Sequence, residues 1–426
     1  RRRGRCVREG RYDRSIMNRK EIVTRVGGGI HGPMATVKVK PHRRIGAGAR
    51  TLVVTGSKKH AAYYQAGRHL RGVAAQAASS SNQAGSEPRV AIVGATGAVG
   101  QEFLELLDER DFPLKELKLL ASARSAGKTM KFQGRDLVVE ELKEDSFGDV
   151  DIALFSAGGG ISKKFGPLAS DAGAVVVDNS SAFRMTEGVP LVIPEINAEA
   201  MRGVNWRERT GGIIANPNCS TIIALMAVTP LHREAGVRRM VVSTYQAASG
   251  AGQAAMDELV LQTKEALEGK EVTKDIFPFQ YAFNLFSHNS PMQDNGYNEE
   301  ELKMVKETKK IWSYDDVSIT ATCIRVPVIR AHAESINLEF DRPLSEERAR
   351  ELLSGSPGVT ISDDRAANSF PTPLDASYKD DVLVGRIRRD ISREDQNGLD
   401  LFVCGDQIRK GAALNAVQIA ELLLDQ

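Results

Sequence analysis

The sequence predicts an α/β protein built on a doubly wound, mainly parallel sheet, and three observations carry that prediction. Short apolar runs at Arg89–Val93, 117–121, 151–155 and 174–177 have the length and residue types of buried strands. Helical stretches follow the first and third of them, at residues 101–109 and about 161–172. Glycines and small polar residues gather at the strands' carboxyl ends, where such sheets hold ligands.

The first strand runs into Gly94-Ala95-Thr96-Gly97-Ala98-Val99-Gly100 and then a helix. Strand, glycine turn and helix come in the order a dinucleotide site requires. The glycines let the backbone approach a pyrophosphate, which then rests on the helix N-terminus. The spacing is GxxGxxG instead of GxGxxG, and a tight βα turn without ligand is the alternative. After the second strand an NAD site wants an acidic residue for the ribose 2′-hydroxyl. The chain instead reads Ser122-Ala123-Arg124-Ser125-Ala126-Gly127-Lys128, with no acid and two cations. That composition suits a 2′-phosphate, hence NADP, or else a solvated basic loop. Ser156-Ala157-Gly158-Gly159-Gly160 ends the third strand, and Asp178 to Arg184 ends the fourth. Arg184 is either an anion ligand or part of a surface loop.

Residues 211–228 form the centre of the chain. Gly211-Gly212 opens a short strand at 213–215, Pro217 ends its ladder, and Asn218-Cys219-Ser220-Thr221 leads into an apolar helix. Cys219 is therefore expected where backbone N–H groups lack intrahelical partners. Those groups and the helix dipole favour thiolate over thiol and offer donors to an oxyanion. A buried structural cysteine is the alternative.

Beyond Val237 the chain reads as a strand at 239–245, the small-residue turn Gln246-Ala247-Ala248-Ser249-Gly250-Ala251-Gly252, and a helix at 253–268. Glu300 and Lys303 share one face of a helix starting near Asn298, for which solvated ion pairing is the default. Residues 317–340 are rich in β-branched side chains and contain Arg325 and His332. Seven is an odd separation, so on an unbroken strand these two face opposite sides. If both serve one site, a bend must fall between them, and Pro327 is the natural place. A last strand at 399–403 and a helix at 412–424 follow, the helix able to pack back on the first domain.

The net charge of +2 conceals a division. Residues 1–86 hold 19 Lys/Arg against 3 Asp/Glu, and residues 87–426 hold 38 against 52. No acid occurs between Met34 and Ser86, while Ser, Ala, Arg and Lys abound, as in an organelle transit peptide. A basic arm for nucleic acid is the competing reading. Its charges are dispersed and lack interleaved aromatics, so no nucleic-acid partner is expected. No apolar run approaches a membrane span. Cys219, Cys323 and Cys404 have no CxxC spacing, so neither a metal site nor a disulfide framework is expected.

The glycine turn together with segments 122–128, 216–220, 246–252, 300–303, 325–332 and 405–411 resembles the aspartate-semialdehyde dehydrogenases, in that family's motif order across about residues 88–426. The resemblance implies a Rossmann-type NADP-binding domain over 87–218, completed by 405–426, and a mixed α/β catalytic and dimerisation domain over 219–404. It implies a homo-oligomer, most often a dimer, that reduces L-aspartyl 4-phosphate to aspartate semialdehyde in amino-acid biosynthesis. By position it makes Cys219 the thioester nucleophile, His332 the acid/base and Gln246 the residue that orients the intermediate. Arg325 then clamps the substrate carboxylate and Glu300 meets its ammonium. Lys303 and Arg184 hold phosphate, with Asn218 beside them. Gly94, Thr96, Gly97, Ala98, Val99, Gly100, Ser122, Arg124, Ser125, Ser156, Ser249, Gly250 and Gln407 are assigned to the cofactor. Residues 1–86 have no bacterial counterpart and suggest a plant or algal plastid address, with a chloroplast location. The nearest alternative is N-acetyl-glutamyl-phosphate reductase, which tends to carry Asn-Pro-Gly-Cys where this chain has Asn218 before Cys219.

Overall fold

The structure, a computed structural model, describes residues 87–395 and 397–425. The transit-peptide expectation for residues 1–86 lies outside the described residues.

Strand β1 (Arg89–Val93) leads through the glycine turn into α1 (Ala98–Glu109). Then come β2 (Glu116–Ala121), β3 (Thr129–Phe132), β4 (Arg135–Glu141), β5 (Ile152–Phe155), α2 (Gly159–Asp171), β6 (Val175–Asp178) and β7 (Gly212–Ala215). These strands form one sheet in the order β3-β4-β2-β1-β5-β6-β7, parallel except for the β3–β4 pair. β1, β5 and β6 are buried almost throughout, because helices cover both faces. The β3–β4 hairpin was not foreseen. β3 alternates, with Met130 and Phe132 turned inward, but over only four residues, and the mostly exposed β4 carries its apolar residues in one run, so the pattern was too short to announce a hairpin.

Next is α3 (Cys219–Ala235), whose residues from Ser220 to Thr229 are all buried. A helix apolar on every side must lie inside the protein. α3 does so against the second sheet, sharing a core with Val242, Ala321, Ile336, Leu401 and Val403. That sheet contains β8 (Val237–Gln246), β9 (Phe286–Ser287), β10 (Ser318–Arg325), β11 (Ala331–Phe340), β12 (Val359–Ile361), β13 (Val382–Arg389) and β14 (Gly398–Asp406). Its order is β12-β13-β14-β11-β8-β10-β9. Helices α4 (Gln253–Leu267), α5 (Glu299–Trp312) and α6 (Glu346–Ser354) lie between these strands in the chain.

The last helix, α7 (Leu414–Leu424), returns to the first sheet. Leu414, Val417, Ile419 and Leu423 pack in one core with Val90, Leu104, Ile152 and Val177. Buried charge also ties the two sheets together. Arg330 donates to Glu102 of α1 at 2.7 Å and to Asp406 of β14 at 2.5 Å, and Arg409 reaches Glu102 at 2.7 Å. Among the described residues no helix is long and apolar enough to cross a membrane.

Candidate active site

The site forms where the carboxyl ends of the first sheet's strands meet one end of the second sheet. Asn218 caps α3, its Oδ1 accepting the N–H groups of Ser220 at 3.0 Å and Thr221 at 3.3 Å. Cys219 is thereby the first helical residue. Asn218 is itself held from α5. Its backbone N–H donates to Glu307 Oε2 at 2.6 Å, and its Nδ2 to Glu300 Oε1 at 2.8 Å. Glu300 also accepts from Gln246 Nε2 at 3.0 Å and Lys303 Nζ at 2.9 Å. The Glu300 carboxyl is buried, so the expectation of a solvated pair with Lys303 does not hold. α5 packs against α3 and β10 and turns this face inward.

His332 is the second residue of β11 and is fully buried, with Nε2 3.4 Å from Cys219 Sγ. Arg325 ends β10. The chain leaves the ladder at Val326 and Pro327, passes over β8 and re-enters as β11. The break expected near Pro327 is therefore the end of one strand and not a bulge. A methyl group on Gly250 would meet Arg325 Nη1 at 2.8 Å and His332 Nε2 at 3.4 Å, so both side chains face the same point. Gln246 Oε1 accepts from Thr244 Oγ1 at 3.1 Å, which orients its amide.

Cys219, Gln246, Arg325, Glu300, Lys303, Arg184, Asn218, Val99, Ser156, Gly250 and Gln407 line one cavity of about 290 Å³. Two atoms of these residues bear on ligands. Arg325 Nε and Gln407 Oε1 are buried without a hydrogen-bond partner among the described residues, a donor and an acceptor left for something that enters. Gly411, at the start of the final helical segment, lies so close to the nucleophile that a Cβ there would be 3.0 Å from Cys219 Cβ.

The nucleotide end is separately built. Gly94 has φ of +88°, and a Cβ there would lie 2.3 Å from Ser156 O. Only glycine meets both conditions. A Cβ on Gly100 would lie 2.3 Å from Gly94 O, so α1 also needs glycine to sit against the turn. Thr96 Oγ1 donates to Ser125 Oγ at 3.3 Å and joins the turn, with Gly97 and Ala98, to the 122–128 loop. Ser122 and Arg124 are exposed in that loop. Ser249 is different, since its hydroxyl donates to Arg330 O at 2.6 Å.

One expectation is corrected. Cys219 was expected as a thiolate, but burial first and the Glu300 charge second push its thiol up to about 12, outweighing Arg184 and Arg325. The helix start opposes this only in part: Ser220 N–H lowers the thiol, but Asn218 Oδ1 also accepts that N–H and takes the one from Thr221. His332 is lowered to about 3, by burial and then Arg325. Burial likewise lowers His288 to about 4. Glu300 remains well below the carboxylate range; burial opposes this, but Lys303 and its hydrogen bonds outweigh it. Arg184 was expected to hold an anion. It lines the cavity, yet its nitrogens already donate to Glu307 at 3.0 Å, Asn216 O at 2.8 Å and Asn179 O at 2.8 Å. Two of its five N–H groups remain.

Sequence reasoning missed Glu307 and the lining position of His288. Glu307 had a signal, since it stands two helical turns from Glu300 on the same face of α5. His288 precedes α5 in an irregular segment and had none.

Two family models match this chain. Residues 89–204 match the semialdehyde dehydrogenase NAD binding domain, and residues 228–410 the semialdehyde dehydrogenase dimerisation domain. An aspartate-semialdehyde dehydrogenase of Synechocystis is 57% identical over 338 residues, covering 79% of this chain and 98% of that protein. The chain belongs to the aspartate-semialdehyde dehydrogenase family. An Aquifex aeolicus member is 51% identical, over 79% of this chain and 98% of its own length. The crystal structure of aspartate semialdehyde dehydrogenase II of Vibrio cholerae complexed with ASA aligns with a TM-score of 0.76 at 47% identity, covering 80% of this chain and 99% of that one. The family member of Candida albicans with NADP aligns with a TM-score of 0.62 at 25% identity, covering 80% and 99%. These relatives do not favour the acetyl-glutamyl alternative.

Proposed function

We propose that this chain reduces L-aspartyl 4-phosphate to L-aspartate 4-semialdehyde, releasing phosphate, with NADPH as reductant and a thioester at Cys219. The observation that carries this reading is Cys219 Sγ 3.4 Å from His332 Nε2, in a cavity that also holds the unpartnered Arg325 Nε. Cys219 Sγ attacks the acyl carbon, the bond from that carbon to the phosphate oxygen breaks, and a thioester and inorganic phosphate result. Arg325 binds the α-carboxylate through its planar fork, for which the free Nε–H is the first donor. Glu300 takes the α-ammonium, and Gln246 orients the acyl group. Lys303 acts on the phosphate as a point charge, and Arg184 through its charge and two remaining N–H groups. His332 assists at the sulfur through Nε2.

The glycine turn, Ser156 and Gln407 would hold the cofactor, the orphan Gln407 Oε1 being an acceptor suited to a carboxamide N–H. Bound NADPH supplies the hydride that reduces the thioester carbonyl. The acid-free loop with Ser122, Arg124 and Lys128 supports NADP over NAD. The dimerisation domain matched over 228–410 supports a homodimer, and the separate matches over 89–204 and 228–410 support the two domains expected above. The basic, acid-poor composition of residues 1–86 supports plastid import, and with it a place in amino-acid synthesis there.

The test is phosphate-dependent reduction of NADP by residues 87–426 with aspartate semialdehyde, run beside NAD and beside N-acetyl-glutamate semialdehyde. Activity with NADP and aspartate semialdehyde alone is expected. Preference for the acetylated substrate overturns the reading.

A further inference from the structure

His288 lines the same cavity as Cys219 and Glu300, yet the reaction above gives it no task. Its backbone is fixed on both sides. The N–H donates to Cys323 O at 2.8 Å, which continues the β9–β10 ladder one residue beyond Ser287. The carbonyl accepts at 3.5 Å from Nδ2 of Asn298, the residue that caps α5. Ser290 closes the same joint, since its Oγ accepts Glu300 N–H at 3.1 Å. The segment between β9 and α5 is thus tied to the first turn of α5.

The strand register gives the ring its direction. Arg325 stands opposite Phe286 in this antiparallel pair, and Ile324 opposite Ser287. Side chains alternate along a strand, so His288, two residues past Phe286, lies on the face that carries Arg325. The charges that act on the ring are Glu300 from α5, Arg325 from β10 and Lys303 from α5, and Arg325 is the stronger of the two cations. His288 therefore stands beside Glu300 and Arg325, the two groups assigned above to the α-ammonium and the α-carboxylate.

Hydrogen bonding limits what the ring can offer there. Ser290 N–H donates to Nδ1 at 3.2 Å, so in the neutral ring the hydrogen is on Nε2. Burial, with Arg325 and Lys303, lowers His288 to about 4 against the pull of Glu300, so the ring is neutral at physiological pH. Its Nε2–H has no hydrogen-bond partner among the described residues. A neutral N–H cannot accept from an ammonium. Glu300 already receives Asn218, Gln246 and Lys303. Of the substrate's two head groups, only the carboxylate can take this donor.

We infer that His288 is a specificity-determining residue whose Nε2–H donates to the substrate's α-carboxylate beside the Arg325 guanidinium. This rests on the aspartyl reading above. Arg325 by itself binds any carboxylate that its fork reaches. A second donor, fixed from the neighbouring strand, sets the rotation of that carboxylate. With Glu300 on the ammonium, it fixes the α-carbon and so aims the acyl group at Cys219.

The experiment is steady-state kinetics of the full chain, parent against His288→Ala and His288→Gln, with aspartate semialdehyde, phosphate and NADP varied in turn. Gln sets an amide N–H near the place of Nε2. His288→Ala should raise KM for aspartate semialdehyde about tenfold or more, with KM for phosphate and for NADP within about twofold of the parent. His288→Gln should recover most of that loss. A rise in KM for phosphate as large as that for the aldehyde, or no rise in either, overturns the inference. So does an equal loss in both variants, because His288 would then serve only to hold Ser290 and the start of α5. A second measurement is independent of turnover. In a crystal structure of Cys219→Ala with aspartate semialdehyde, Nε2 should lie within about 3.2 Å of an α-carboxylate oxygen. A bound aldehyde whose carboxylate lies beyond hydrogen-bond reach of Nε2 overturns the inference. Absence of dehydrogenase activity in the parent chain sinks the proposed function, whereas an active parent matched by His288→Ala sinks only this inference.

Discussion

Cys219 Sγ and His332 Nε2 stand 3.4 Å apart although 113 residues separate them in the chain. The first is placed by the start of a helix that a side-chain amide caps, the second by the opening of a strand in the second sheet. Neither side chain has freedom to choose its position. Glu300 and Glu307 of α5 hold Asn218 beside the first, and Ala247 N–H, just past the end of β8, holds the second.

Removing the sulfur separates binding from chemistry. Cys219→Ala should lower turnover by roughly 10⁴-fold, while NADP affinity, measured by calorimetry, stays within about threefold. Parallel loss of both would mean the cysteine holds the fold of the cavity instead.

The protonated resting thiol has a direct chemical signature. With Cys219 raised to about 12, the rate of iodoacetamide labelling of the free enzyme should climb about tenfold per pH unit from pH 7 to 10. Cys323 and Cys404 are buried, and their thiols are raised further, so Cys219→Ala supplies the blank. A labelling rate that levels off by pH 8 would contradict the burial argument.

Arg325→Lys tests the carboxylate clamp. Lysine keeps the charge but loses the fork, and a charge-assisted hydrogen bond is worth about 1.5–3 kcal/mol. The loss should be about 10- to 150-fold in kcat/KM for aspartate semialdehyde, mostly in KM. An unchanged KM would remove Arg325 from the binding role.

Gly411→Ala puts a methyl group 3.0 Å from Cys219 Cβ without requiring an unusual backbone. Displacing the sulfur by a fraction of an ångström should lower kcat about tenfold or more, with the thermal midpoint nearly preserved. Normal kcat would show that the sulfur tolerates displacement.

Glu334 predicts a pH-dependent stability. It is fully buried, two residues from His332, and neither carboxyl oxygen has a partner among the described residues. Burial raises it well above the ordinary 4.5, so the folded protein keeps it protonated while the unfolded chain ionises. The unfolded state then binds fewer protons. Stability therefore falls as pH rises from that ordinary value towards the folded one, by up to about 1.4 kcal/mol per pH unit. Glu334→Gln abolishes the penalty, so the gap between variant and parent melting temperatures should widen from pH 5 to pH 8. A gap that stays constant or narrows would show that Glu334 finds a partner.

Much of the fold was legible, because it depends on residues close together in the chain. The glycine turn after β1, the apolar α3 and the capped start of α5 are patterns of a few residues. Their backbone consequences follow from sterics and hydrogen bonding alone. The β3–β4 hairpin was not legible, since β3 alternates over only four residues and the exposed β4 does not alternate. Arg325 and Arg330 show the limit more sharply. Both flank Pro327 in one short segment, yet Arg325 enters the cavity with a free Nε, while Arg330 is ion-paired through Nε to Asp406 and through Nη2 to Glu102.

What the sequence determined by itself was the set of chemical groups and their local settings: a cysteine at a helix start, a phosphate-sized glycine turn, an arginine and a histidine seven apart. What only the tertiary structure decided was the protonation of those groups. Whether Cys219 is thiol or thiolate, and which nitrogen of His332 bears hydrogen, depends on desolvation and on Glu300, Arg325 and Ala247, partners far away in the chain or across a sheet. Electric fields and hydrogen bonds act through space, and the distances that set them exist only once the two sheets have met.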